Sequence, residues 1–475
     1  MIWKTAWKNV WRNRVRSLVV IVSVTIGIFA GVFSVAFMNG MIAQRVNSAL
    51  NEEISHIQIS GKNYRLNNDP EILITGPDKI VRQINEIPGI SGMAERTIIN
   101  GMAGTAAKST GVQIIGIDPV MEKKIFTLDK TIMPGTGDYF EKESKYNLVL
   151  IGQDLAKELN IIRYSITSTV LESLGKKKIP GSMIEKLTPL SGIRFTNEKK
   201  FNKSINSILS RKEIKRYSYE IKNEAWSFRE GSRLTLTFLD KDNNQIEAVF
   251  RLAGIYDVKN SMFEKSTVFV KDTDLKHLTG LNKDSFHQII LRINDIKQTE
   301  KITTELREKM PELDIMNWKE ISPDLAMMTD YVHQIYAFFM LIILAALAFG
   351  IINTMLMVVL ERTKELGMLT AIGMNKKKVF SMIMLESVFL SLLGGLTGMF
   401  AGWIVVVLTA KNGINFLRYA EGMEAFGYSA HIFPEISAEF FIIVTFLIIL
   451  TGIVSSVYPA LKALKLDPAE AIRTE

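Results

Sequence analysis

Four stretches of the chain carry no Asp, Glu, Lys or Arg: residues 17–44, 331–360, 387–410 and 440–461. They run for 28, 30, 24 and 22 residues, and about 20 apolar residues suffice to carry a helix across a hydrocarbon core of about 30 Å. Buried helices of soluble proteins rarely stay free of charge for so long. The pattern predicts transmembrane helices at 17–44, 331–360, 379–410 and 439–462. Two short polar segments, 361–378 and 411–438, separate the later helices, and a long one, 45–330, follows the first.

The long segment has a different rhythm. Period-2 or short apolar runs predict strands at ISHIQIS (54–60), VQIIGID (112–118), LVLIG (148–152), RLTLTFL (233–239), EAVFRLAGI (247–255), STVFV (266–270) and FHQIILRI (286–293). Helical spacing appears in DKIVRQINEI (78–87), QDLAKELNI (153–161), DTDLKHLTG (272–280) and KQTEKITTELREKM (297–310). The fold class that follows is an α-helical membrane protein with four transmembrane helices plus a large α/β extracytoplasmic domain inserted between helices 1 and 2. Within that domain, residues 162–230 mix Lys clusters, short apolar patches and turn signals such as Pro180-Gly181. A protruding arm, a small subdomain and a partly disordered segment all fit this insert.

Charge gives the expected orientation. Lys4, Lys8, Arg12, Arg14 and Arg16 precede the first apolar run, and Arg362, Lys364, Lys376, Lys377 and Lys378 lie between the second and third. Residues 411–438 carry only Lys411 and Arg418 against Glu421, Glu424 and Glu435. The positive-inside rule then places both termini (1–16 and 463–475) and segment 361–378 in the cytoplasm of a bacterial inner membrane, with 45–330 and 411–438 outside, in the periplasm. Trp3, Trp7 and Trp11 recur every fourth residue among basic ones, the pattern of an interfacial helix over 1–16. The first run is too long for the h-region of a cleavable signal, and no small-x-small site follows it, so it is expected to remain as an anchor.

The chain's 57 Lys and Arg against 49 Asp and Glu leave a net +8, an excess concentrated in residues 162–230, which hold 15 basic and 7 acidic residues. With no nucleic-acid motif present, lipid headgroups or an acidic partner face suit this basic insert better than nucleic acid. There are no cysteines, which removes thiolate metal sites, thiol nucleophiles and disulfides. The five His residues are scattered, no H-E-x-x-H or G-x-S-x-G occurs, and no metal site is expected. Small residues recur at four-residue spacing as Ser23, Gly27 and Gly31, as Gly394, Gly398 and Gly402, and as Gly452, Ser456 and Ala460. Such stripes let helix backbones approach closely in lipid, within one subunit or between two. Glu386 alone interrupts the third span, close enough to its start to snorkel or to meet a neighbouring helix.

The string NTMLMVVLERTKELGMLTAIGMNKKKVFSMIMLES, residues 353–387, resembles the signature of the FtsX/MacB/LolC-E family of ABC transporter permeases, and YPALKALKLDPAEAIRTE (458–475) resembles that family's closing motif. The N-terminal AWKNVWRNRVRS has the same look. The resemblance covers both ends and every span, and is vague over roughly 160–230. It implies a four-span permease that works as a dimer with a second copy or a related permease, on two copies of a separate cytoplasmic ATPase. It also implies an outer domain split into two subdomains. No Walker A sequence occurs in the chain, so ATP and Mg are expected on the partner ATPase; the permease itself is expected to bind no cofactor and to be no enzyme.

On a helix over 361–378, Leu366, Leu369, Thr370 and Gly373 share one side, with Met368 and Ile372 adjoining and Glu361, Arg362 and Glu365 at the start. Acidic residues near the N-terminus and Lys near the C-terminus suit the macrodipole, and Gly373 is placed to end the helix. The segment could rest on lipid headgroups; the resemblance implies that it docks on the ATPase through Glu361, Arg362, Glu365, Leu366, Gly367, Leu369, Ala371 and Gly373. Relatives of this kind release lipoproteins to a carrier, expel drugs or peptides through an outer-membrane duct, or signal to cell-wall hydrolases. The segment ALNEEISHIQIS looks most like the lipoprotein-releasing branch, which implies mechanotransmission to the outer domain, a periplasmic carrier or adaptor protein, and acyl chains held by Phe33, Phe37, Met38, Phe338 and Met340. For any one of these five, facing lipid or packing in a dimer is the more ordinary role.

Overall fold

The computed structural model describes residues 2–67, 69–140, 144–177, 179–195 and 197–464. Residues 465–475, the greater part of the closing motif and of the expected tail, lie outside the described residues. The chain folds as two units, one of residues 1–46, 324–420 and 429 onward, the other of 47–323 with 421–428.

The first unit is helical: α1 (Ile2–Arg12), α2 (Arg14–Ser48), α3 (Pro323–Glu361), α4 (Thr363–Ala371), α5 (Lys376–Asn412) and α6 (Ala438–Leu464). Among the described residues α2, α3, α5 and α6 are the four helices long and apolar enough to cross a membrane. Glycine decides how they pack. A Cβ on Gly398 would lie 2.6 Å from the Thr25 carbonyl oxygen, and one on Gly394 2.6 Å from Val24 Cβ, so α5 meets α2 almost backbone to backbone. Gly402 continues that seam opposite Val32, and the Thr25 and Thr397 hydroxyls bond across it at 2.7 Å. On its other side α2 receives α3, with Gly27 facing Leu347 and Gly31 facing Met340. Helix α6 packs on α5 through Gly452 opposite Ser391 and Gly395 opposite Ile448. Apart from the exposed Ser23, the stripes therefore serve packing within the chain. Phe338, Leu341, Phe349 and Met357 of α3 stay exposed, the surface of a helix that is apolar all round.

The second unit is mixed α/β. Nine strands, β1 (Ile57–Gly61), β2 (Ile90–Gly104), β3 (Ser109–Ile117), β4 (Leu148–Gly152), β5 (Arg233–Leu239), β6 (Gln245–Tyr256), β7 (Thr267–Lys271), β8 (Gln288–Ile293) and β9 (Leu313–Asn317), lie in the order β9-β1-β8-β2-β3-β7-β4-β6-β5. The long strand β2 serves two neighbours on one edge: Ile90–Arg96 pairs with β8 and Gly101–Gly104 with β5. The second pairing closes β2, β3, β7, β4, β6 and β5 into a ring. Gly101 permits the closure, since a Cβ there would sit 2.5 Å from the Thr237 carbonyl oxygen.

Alternation fills both faces of the ring strands. Val112, Ile114, Val149, Ile151, Val268 and Val270 join one core, while Ile115, Ile117, Leu148, Leu150 and Phe269 join another. Outside the ring, β1, β8 and β9 bury Ile57, Ile59, Ile289, Leu291 and Ile315 under the helices Pro77–Asn85 and Thr299–Lys309.

The basic insert is folded. Strands Arg194–Phe195, Ile162–Ser165 and Trp226–Phe228 form a three-stranded sheet and four helices enclose a core of its own around Phe201, Leu187 and Ile221. Ser210 and Glu213 form a capping box that starts the helix Arg211–Ala225. Of the three forms open to this sequence, the small subdomain is the one the chain adopts.

Candidate functional site

The helical unit carries a network of ion pairs where α1, α3, α4 and α5 meet. Helix α3 ends at Glu361, and after Arg362 the chain re-enters helix as α4, which stops at Ala371, with Gly373 in the left-handed region at φ 95°. Asn375 then caps α5 by accepting from the Lys377 backbone N–H at 2.9 Å. In this corner Arg12 of α1 donates from Nη1 to Glu365 at 2.8 Å and also from Nη2, and Arg16 of α2 donates from both terminal nitrogens to Glu361. Arg362 bridges Glu365, 3.1 Å from its Nε, and Glu386 of α5, 3.1 and 3.3 Å from Nη1. Asn9 of α1 also donates to Glu386. Hydrogen bonds from Arg12 and then Arg362 hold the Glu365 carboxyl below the usual carboxylate range.

These side chains line a cavity of about 270 Å³ together with Asn13, Ser17 and the apolar Val10, Met355, Val358 and Leu390. Three arginines and three glutamates balance one another there, so the corner holds a network rather than a free anion or cation site.

The segment residues singled out in the sequence thus divide into three kinds. Glu361, Arg362 and Glu365 are engaged in ion pairs within the chain. Leu366 and Gly367 are buried and Leu369 packs against the helical core. Ala371 and Gly373 are exposed together with Met368 and Ile372, the latter 78% exposed. The outward apolar face of α4 is therefore Met368, Ala371 and Ile372, followed by the exposed Lys376, Lys377 and Lys378.

A second feature lies between α2 and α3. Phe33, Phe37, Met38 and Met340 line an apolar groove of about 320 Å³ with Tyr336 and Phe339. Phe338 is not among its walls; it is 64% exposed and points out of the bundle. Helical spacing explains the exchange, since one residue along α3 turns the side chain by about 100°. Sequence reasoning also passed over Asn9, Arg12 and Arg16 as partners of the segment. The signal was present in the basic residues of AWKNVWRNRVRS, but charge pattern alone does not say which carboxylates they meet.

Fold and site define a polytopic α-helical membrane protein with an α/β domain between its first two long helices and a short amphipathic helix between the next two. Residues 337–468 match the FtsX-like permease C-terminal family, and the chain carries an FtsX-like permease domain. It is 27% identical over 240 residues to an uncharacterized ABC transporter permease of Methanocaldococcus jannaschii, covering 48% of this chain and 55% of that one. Over 126 residues, 26% of this chain and 16% of the other, it is 35% identical to the macrolide export ATP-binding/permease protein MacB of Chlorobium luteolum. It is 20% identical over 235 residues to the lipoprotein-releasing system transmembrane protein LolC of Xylella fastidiosa, covering 48% and 55% of the two chains. The similarity thus spans about half the length of the archaeal permease and of LolC. Among solved structures, the extracellular domain of YknZ from Gram-positive bacteria aligns with 55% of this chain and 98% of its own at a TM-score of 0.27 and 10% identity.

Proposed function

We propose that this chain is the membrane-spanning, non-catalytic permease subunit of an ABC transporter. It couples ATP hydrolysis on a separate cytoplasmic ABC ATPase dimer, which holds the ATP and Mg, to movement of its α/β domain. A second copy or a related permease completes the membrane part. The observation that carries this reading is the exposed apolar face of Met368, Ala371 and Ile372 on a short helix held at both ends by long apolar helices. A helix so placed offers a small groove-filling surface to a soluble protein, and any push on it reaches α3 and α5 directly. The basic residues before α2 and at Lys376 to Lys378 support a cytoplasmic position for this end of the unit, in a bacterial inner membrane.

The test is association with the ATPase. Met368→Glu and Ile372→Glu change exposed positions, so the variants keep their thermal stability and lose co-purification with the ATPase. Undiminished co-purification overturns the docking role. Alanine at Glu361, Arg362 or Glu365 is a poorer test, because it breaks the network inside the chain.

For the cargo, the groove of Phe33, Phe37, Met38 and Met340 supports a lipid-anchored substrate, most specifically lipoprotein release to a periplasmic carrier or adaptor, in keeping with the similarity to LolC. Each buried methylene of an acyl chain contributes about 0.8 kcal/mol. The similarity to MacB favours a second reading, export of a drug or peptide. Depleting the protein separates them: lipoproteins retained in the inner membrane support release, whereas normal sorting with new sensitivity to macrolides supports export. The basic subdomain 162–230 is the candidate surface for an outer partner on either reading.

A further inference from the structure

The ion network ties the short helix α4 to more than its neighbours in sequence. Helix α1 precedes α2 and carries no residue of the exposed face, yet its last residue, Arg12, grips Glu365 of α4 with two nitrogens; next to it Arg16 of α2 holds Glu361, the last residue of α3, in the same way. Two-pronged arginine–carboxylate pairs fix orientation as well as distance. From the geometry we infer that α1 and α4 move as one body, with Arg12 as the positioning residue that sets the angle of α4 against α1. A displacement of α4 is then delivered to the N-terminal helix as well as along α3.

Two sets of contacts hold α1, one to α5, which includes the bond from Asn9 to Glu386, and one to α4. Its apolar side is seated on α5: Ala6 and Val10 are buried, and Trp3 and Trp7 both meet Phe389 edge-on at 5.5 Å. Its polar side reaches α4. Arg12 is 60% exposed and Glu365 35%, so that pair adds little to overall stability. Breaking the Arg12–Glu365 pair therefore leaves α1 docked on α5 and frees only the angle between α1 and α4. Arg362 is different, because removing it strands the buried Glu386; it is unsuited to the test.

The consequence for transport rests on the coupling role proposed above, but the inference itself does not need the ATPase. The chain has no cysteines, so spin labels can be placed on the full-length protein in nanodiscs at Lys8→Cys and Lys364→Cys, both exposed positions. The parent should give one narrow inter-label distance. Arg12→Glu should lose it to a broad distribution, and adding Glu365→Arg should restore it. Arg12→Gln serves as the milder break if charge reversal lowers the yield of folded protein. A distance distribution that stays narrow in the broken variants overturns the inference, as does failure of the swapped charges to restore it. If the labels behave as expected while the same variants drive the ATPase normally, the single body stands and the coupling reading falls.

Discussion

Arg362 turns its guanidinium onto Glu386, 24 positions later in the chain, with Nη1 within 3.1 and 3.3 Å of the two carboxylate oxygens. The Glu386 side chain is 5% exposed, and Asn9 supplies a further donor. The lone carboxylate of the third long helix is thus held by neighbouring elements at the helix end, an arrangement that serves structure.

Removing one partner of a buried pair costs more than the pair contributes, because the other charge stays behind unpaired. Arg362→Met should destabilise the protein by about 3–5 kcal/mol. Adding Glu386→Gln should recover a large part of that loss, since the stranded charge is gone. Thermal unfolding in detergent reads both, and a double variant no more stable than Arg362→Met would show that the carboxylate is not what suffers.

The seam between α2 and α5 makes a sharper demand. Gly398→Ala places a methyl group 2.6 Å from a backbone oxygen, which no rotamer change relieves, and such overpacking costs about 1–3 kcal/mol. Gly350 of α3 has nothing within 4 Å of the same added atom. Gly350→Ala should be neutral or stabilising by up to about 1 kcal/mol, through helix propensity. Equal melting temperatures for the two variants would contradict the packing described.

Which features could be read from sequence follows from the range of the interactions that make them. Charge-free runs and strict alternation are local, so the four long helices and strands such as Leu148–Gly152 and Arg233–Leu239 are written plainly in the chain. The strand Ile90–Gly104 is not, because Gly92, Gly101 and Gly104 and the pair Glu95-Arg96 interrupt its pattern, and because its length is set by two partners on one edge. The insert's fold rests on a core gathered from short patches, each too weak to name an element. The network was hidden for a related reason: Arg12 and Glu365 are 353 positions apart, and no local pattern pairs them.

Two buried groups of the α/β unit give its stability opposite pH dependences. Burial, with Arg292 nearby, pushes His56 down to about 4 from 6.5, so the folded state binds that proton less tightly than the unfolded one. Its contribution is complete above pH 6.5 and is lost as pH falls toward 4, by up to about 3 kcal/mol. Burial and then Asp257 push Glu264 up to about 7 from 4.5, against the bonds it accepts from the Val258 and Asp154 backbone N–H groups. Its contribution runs the other way, complete below pH 4.5 and lost as pH rises toward 7. The two offset each other between 4.5 and 6.5 in the parent. His56→Gln should expose a fall in melting temperature with rising pH, and Glu264→Gln a fall with declining pH; identical profiles for the two variants would remove both assignments.

The groove between α2 and α3 tests the proposed cargo most directly. Ser34 is exposed at its rim, so Ser34→Trp can fill the space without displacing a packed neighbour, unlike a change at the buried Met340. If acyl chains lie there, losing contact with even three methylenes costs about 2.4 kcal/mol, roughly fiftyfold in affinity. Titrating the full-length protein with a spin-labelled fatty acid should show that loss for Ser34→Trp and none for Phe338→Ala, whose side chain faces away. Equal weakening in both variants would mean that the probe senses the lipid-facing surface at large, and the groove would lose its claim on the substrate.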